Sequence, residues 1–130
     1  MRIVLASIIG VAVSFGANIA VLFIGTMLRL FTAPKMDLSQ EGLEAIYQPL
    51  QFGDYVVPLL AHLLGLLSGL LVARSICKTS SIPIFVVAGL HLIGVAFNLY
   101  EIPHPSWFAL VDVIAPLLLA YLFINKVKSH

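Results

Sequence analysis

The segment Tyr55–Cys77, YVVPLLAHLLGLLSGLLVARSIC, decides the fold of this chain. It is long enough to cross a bilayer, since a spanning helix needs ~20 apolar residues at a rise of 1.5 Å each. Its only Asp, Glu, His, Lys or Arg before Arg74 is His62. Three further apolar stretches lie at about 3–31, 82–100 and 106–124. The sequence therefore predicts an all-α fold, an integral membrane four-helix bundle.

Composition excludes a soluble globular protein. The 130 residues are 61% hydrophobic and 10% charged, whereas soluble domains are roughly a quarter charged. The four spans and the connection 32–54 use nearly the whole chain, so 1–130 is predicted to be a single transmembrane domain. The net charge of +1 gives no field that would favour nucleic acid. The expected partner is the lipid bilayer. The single Cys77 excludes an internal disulfide.

The basic residues predict the orientation of the spans. With both termini in the cytoplasm, only Arg29 and Lys35 are left on the outer side. The cytoplasmic side then holds the other basic residues, which are Arg2, Arg74, Lys78, Lys126 and Lys128. This excess agrees with the positive-inside rule. The connection 32–54 is therefore an outer loop.

A short helix is expected within this outer loop. Leu43, Ile46, Tyr47 and Leu50 share one helical face, which predicts a helix lying on the membrane surface. Such a helix either seals the end of the bundle or acts as a gate over the polar residues below it.

Small residues repeat at intervals of four in two spans. The second span carries Ala61, Gly65, Gly69 and Ala73, and the first carries Ala6, Gly10 and Ser14. In lipid, helices associate where small side chains let the backbones approach closely. One groove is expected to receive a neighbouring helix of the same chain, and the other a second subunit.

Strongly polar residues fall in the outer half of the predicted bundle. They are Asn18, His62, His91, Asn98 and Asp112. Polar groups at this depth are costly, so they mark helix contacts, relays or ligand sites. Interhelical hydrogen bonding is one interpretation, and a proton or ion relay is another.

Cofactor binding at these residues is a further interpretation. His62, His91 and Asp112 could bind zinc or iron, and His62 and His91 could hold a b-type haem. The pattern His-x-x-x-His, which would support a metal site, is missing. The sequence therefore predicts no cofactor, and both possibilities stay open as alternatives.

The outer turn Glu101–Pro105 places His104 between two prolines. His104 is either a solvated loop residue or part of a pH-sensitive contact with Glu101. No nucleophile elbow surrounds Ser14, Ser68 or Ser106, so no catalytic residue is predicted.

Two motifs resemble those of a group of small, uncharacterised four-helix proteins of bacterial inner membranes. They are Ala61-His62-x-x-Gly65-x-x-x-Gly69 and Pro105-x-Trp107-Phe108-x-x-x-Asp112. The likeness covers about half the chain and implies the same fold and membrane. It implies no activity.

Three functional hypotheses follow from the sequence. The first is a non-enzymatic membrane protein that acts through helix contacts, as a homo-oligomer or as an accessory subunit of a membrane complex. The second is a small transporter or proton-conducting protein that uses the polar residues. The third is a membrane redox protein that binds haem or a metal.

Overall fold

The structure is a computed structural model that describes residues 1–30, 52–102 and 104–128. Its helices are α1 (Arg2–Met27), α2 (Phe52–Ile76), α3 (Ile82–Glu101) and α4 (Ser106–Lys128). Each is long and apolar enough to span a membrane, and the described ranges contain no strand. The prediction of a four-helix membrane bundle is therefore confirmed. The short surface helix expected within the outer loop lies outside the described residues.

Three helix boundaries differ by three residues or more from those expected from hydropathy, and one of them is the end of α4, at Lys128 rather than near Ile124. The first helix ends at Met27 rather than near Phe31, and Arg29 adopts a left-handed φ of 55°. A left-handed residue just beyond the last turn is a common helix terminator. The second helix begins at Phe52, before the apolar run at Tyr55, and Asp54 lies in its first turn. A carboxylate is favourable at a helix N-terminus, which accounts for this extra turn of more polar sequence.

The two central helices, α2 and α3, contact each other and both remaining helices. Within the described part of the chain, α1 and α4 do not touch. Arg2 lies beside Lys78 at one end of the bundle, and Tyr55 lies beside Trp107 at the other. We call the first the inner end and the second the outer end, following the orientation that the basic residues predict.

Helices α1 and α2 approach each other at their small residues. A Cβ atom added to Gly69 would lie 2.6 Å from the carbonyl oxygen of Gly10, and one added to Gly65 would lie 2.7 Å from that of Ser14. The predicted packing residues are all buried, namely Ala6, Gly10, Ser14, Ala61, Gly65, Gly69 and Ala73. The two stripes therefore face each other within one chain, and neither is left for a second subunit.

The inner half of the bundle is an apolar core. Its fully or nearly fully buried side chains are Leu66, Leu70, Ala73, Ile84, Val87, Ala88 and Ala120. Val11, Leu119, Phe123 and Ile124 pack against them. All of these residues lie closer to the inner end than His62 and Asp112 do. The bundle is thus divided into an apolar inner half and an outer half that holds the polar residues.

Substitution of Gly69 by Ala should destabilise the bundle, because the new methyl group would overlap Gly10 and Ser14. The overlap involves backbone, so the helices must separate, and we expect a loss of about 1–3 kcal/mol in the free energy of unfolding. Unfolding in mixed micelles measures this loss. Gly89→Ala is the matched control, since a Cβ there meets nothing within 4 Å. Equal stability of the two variants would refute the packing described here.

Candidate functional site

Four buried polar side chains, one from each helix, meet in the middle of the bundle. They are Ser14 of α1, His62 of α2, His91 of α3 and Asp112 of α4. Ser14 and Asp112 have no exposed surface, and the two histidines are less than a tenth exposed. We call these residues the polar cluster.

The strongest contact in the polar cluster joins α2 to α4. His62 Nδ1 lies 2.8 Å from both carboxylate oxygens of Asp112. A carboxylate accepts and an imidazole N–H donates, so this geometry fixes the proton of His62 on Nδ1 when Asp112 is ionised. The other ring nitrogen of His62 can then take up a second proton. That uptake would convert the pair from a net negative charge to a neutral ion pair.

A second hydrogen bond joins α1 to α3. Ser14 Oγ lies 2.9 Å from His91 Nδ1. The other ring nitrogen of His91, Nε2, is buried and has no hydrogen-bond partner among the described residues. A buried polar atom without a partner costs about 1–3 kcal/mol. Such an atom marks a position where a water molecule or a polar ligand would be stabilised.

The two hydrogen-bonded pairs lie side by side. The rings of His62 and His91 are perpendicular, at 88°, and their centroids are 6.0 Å apart. At this separation the two rings are neighbours without a hydrogen bond between their side chains. Ser14, His91, His62 and Asp112 therefore form a polar row that crosses the bundle from α1 to α4.

The two predicted asparagines lie beside the polar cluster rather than in it. Asn18 is half-buried, and its backbone and Cβ pack against Gly65. Asn98 is half-buried in the last turn of α3, where its carbonyl accepts a hydrogen bond from the backbone of Ile102. In the described ranges, neither side chain hydrogen-bonds a cluster residue. The structure thus brings together His62, His91 and Asp112 from the predicted set.

Ser14 is the member of the polar cluster that sequence reasoning placed differently. It was predicted as a packing residue, and it does pack, since the backbone of Ser14 contacts Gly65. Its hydroxyl has the additional role of binding His91. The available signal was that Ser14 lies one turn before Asn18, on the face of α1 that carries Gly10.

The arrangement of the cluster bears on the metal hypothesis. Among residues 1–30, 52–102 and 104–128, no three His, Cys, Asp or Glu side chains are arranged to hold a metal ion. His62 Nδ1 is engaged by Asp112, and His91 Nδ1 by Ser14. The metal and haem hypotheses stay predictions.

Aromatic rings cover the polar cluster on its outer side. Tyr55 of α2 lies within 5.7 Å of Trp107 and 5.5 Å of Phe108, measured between ring centroids. Phe108 is fully buried one turn before Asp112. Along their helices, Tyr55 and Phe108 therefore lie between the His62–Asp112 pair and the outer end of the bundle.

His104 belongs to this aromatic layer. Its ring stacks on Phe108 with centroids 4.6 Å apart, and its Nδ1 is hydrogen-bonded to the carbonyl of Ile102. Burial lowers the pKa of His104, and the Ile102 carbonyl partly opposes that shift. Glu101 is exposed, and the described residues show no ion pair between it and His104.

Comparison of the chain with protein-family models, curated proteins and solved structures finds no match. Functional inference therefore depends on the polar cluster itself.

The hydrogen bond between His62 and Asp112 should be measurable as a coupling energy. Asp112→Leu leaves His62 Nδ1 without an acceptor, and we expect a loss of about 1–3 kcal/mol in unfolding free energy. Asp112→Asn keeps one acceptor oxygen and should cost less. Combining Asp112→Leu with His62→Phe should recover roughly 0.5–2 kcal/mol relative to the sum of the single changes. Additive losses in the double-mutant cycle would show that the two side chains do not interact.

Proposed function

We propose that this integral membrane protein is a small transport protein whose His62–Asp112 pair takes up a proton from the outer side. The observation that supports this most directly is a fully buried carboxylate, inside an apolar bundle, held by a histidine from another helix. Ionisable groups at such depth are expensive, and they recur at proton and substrate sites of membrane transporters. Residence in a bacterial inner membrane is part of the proposal.

The position of the pair along the bundle supports access from the outer side. His62 lies eight residues from Asp54, or ~12 Å along α2, and Asp112 lies six residues from Ser106, or ~9 Å along α4. The path to the inner end of α4 is longer, at ~20 Å from Asp112 to Asn125. It also passes the packed apolar core around Leu70 and Ile84. In this conformation the short route is the outer one, and the inner half is closed.

The chemistry of the pair suits reversible proton uptake. A proton that reaches His62 removes the net charge of the pair, which lowers the cost of burying Asp112 in a medium of low dielectric constant. His91 Nε2, which has no hydrogen-bond partner among the described residues, lies on the ring next to His62. Ser14 orients His91 through Nδ1 and so directs Nε2 away from α1. Release to the inner side requires the apolar core to rearrange, as alternating access does in transporters generally.

Proton movement in liposomes tests this function. A pH difference applied across liposomes containing the wild-type protein should change the lumenal pH faster than in empty liposomes. Asp112→Asn preserves size and one acceptor oxygen but removes the charge, so it should reduce the rate to that of empty liposomes. Glu101→Gln removes a carboxylate that is exposed at the outer end, and it should leave the rate unchanged.

Two results would count against transport. One is a wild-type rate equal to that of empty liposomes under a pH difference of either sign. The other is an Asp112→Asn rate equal to that of the wild type, since proton movement would then bypass the carboxylate.

A second candidate function is assembly through helix contacts, as a homo-oligomer or with another membrane subunit. A different stripe of small residues on α1 favours it: Ala12, Gly16 and Ala20 are spaced by four and all exposed. A Cβ added at Gly16 would meet nothing within 4 Å. Such a stripe lets a helix of another chain approach closely within the bilayer.

Gly16→Leu tests the assembly function. If the stripe is an interface, leucine should shift the protein from an oligomer towards monomers, as measured by subunit photobleaching or by energy transfer in liposomes. Gly89→Leu is the control, because Gly89 is also exposed and a Cβ there also meets nothing within 4 Å, but it lies on α3. An oligomer that survives Gly16→Leu, or a wild-type protein that is monomeric, would exclude this interface.

A further inference from the structure

A second feature lies at the inner end of the bundle, far from the polar cluster. An open cleft of about 590 Å³ separates the start of α1 from the end of α2. Its lining comes from both sides, namely Met1, Arg2 and Ile3 at the start of α1 and the segment Ser75–Thr79 at the end of α2 and in the following turn. This volume falls in the range of small-ligand sites.

The cleft carries positive charge without an acidic counterpart. Arg2 and Lys78 both line it and both are exposed. No Asp or Glu lines the cleft. The described acidic residues lie elsewhere: Asp54 and Glu101 at the outer end and Asp112 in the polar cluster. The inner end therefore lacks a described carboxylate that could neutralise these cations.

The backbone of the cleft adds to this charge. Helix α1 has no acidic residue in its first turn and no side-chain cap. Its first N–H groups have no partner within the helix, so the positive end of the helix dipole faces this end of the bundle. Thr79, which also lines the cleft, carries a hydroxyl group. Cations, the N–H groups at a helix N-terminus and hydroxyl groups are the groups that bind phosphate in proteins.

We propose that this cleft binds a phosphate group whose negative charge is not neutralised by a cation in the same molecule. The headgroup of an anionic phospholipid carries such a phosphate. The cleft lies where the apolar spans of α1 and α2 end, at the depth of headgroups. Ile3 and Ile76, which also line it, can contact the upper part of an acyl chain. Basic pockets at this depth attract anionic headgroups. The inference is independent of proton transport.

Native mass spectrometry of the full-length protein with added lipid tests the site. The probes are phosphatidylglycerol, phosphatidylcholine with the same acyl chains, and inorganic phosphate. Wild-type protein should bind phosphatidylglycerol more tightly than phosphatidylcholine. Arg2→Gln combined with Lys78→Gln should weaken phosphatidylglycerol binding roughly 30-fold, and Lys78→Gln alone roughly 5-fold. Arg29→Gln removes a cation beyond the other end of α1 and should change binding little.

The outcomes separate the two sources of phosphate. Binding of inorganic phosphate that depends on Arg2 and Lys78, with no preference for phosphatidylglycerol, would support the site and assign it to free phosphate. Equal binding of both lipids together with no binding of phosphate would overturn the proposal. Loss of binding in Arg29→Gln equal to that in Lys78→Gln would also overturn it. The single Lys78→Gln variant keeps the test decisive if the double variant does not fold.

Discussion

The contact between His62 and Asp112 is the interaction on which the rest of the structure depends. A carboxylate left alone among apolar helices would be prohibitively costly, so α4 must face α2 at this level. Once Asp112 is directed inward, the residues at intervals of four on either side of it are buried too, namely Phe108, Pro116 and Ala120. One polar contact thus sets the rotation of α4 about its own axis and places an aromatic ring over the outer side of the pair.

The close approach of α1 and α2 at their glycines has a similar consequence on the other side of the bundle. It brings Ser14 deep enough to reach His91 on α3, which α1 also contacts. The polar row is therefore held at one end by backbone packing and at the other by a hydrogen bond between side chains. Towards the inner end lie closely packed aliphatic residues, and towards the outer end lie the rings of Tyr55 and Phe108. This asymmetry gives the polar cluster its predicted access from the outer side.

The sequence was sufficient to predict the spans and the depth of the polar residues, because hydropathy and a fixed helical rise determine both. It was insufficient to predict which residues would meet. Asn98 lies at a depth that would allow contact with the polar cluster, yet it lies outside the cluster, whereas Ser14 belongs to it. Each outcome depends on the rotation of a helix about its own axis, which hydropathy does not determine. The pairing of the two glycine stripes within one chain likewise depends on helix order and tilt. Hydropathy also missed the first turn of α2, where Asp54 lies among less apolar residues.

The central claim is that the buried pair exchanges protons with the outer side. The most direct test is infrared spectroscopy of the protein in liposomes of uniform orientation, with the carboxyl signal of Asp112 assigned by its loss in Asp112→Asn. We expect the imidazole bands of His62, and with them the carboxylate bands of its partner Asp112, to change when the pH is changed on the outer side and to stay constant when it is changed only on the inner side. Bands that respond to the inner pH alone, or to neither, would contradict this claim.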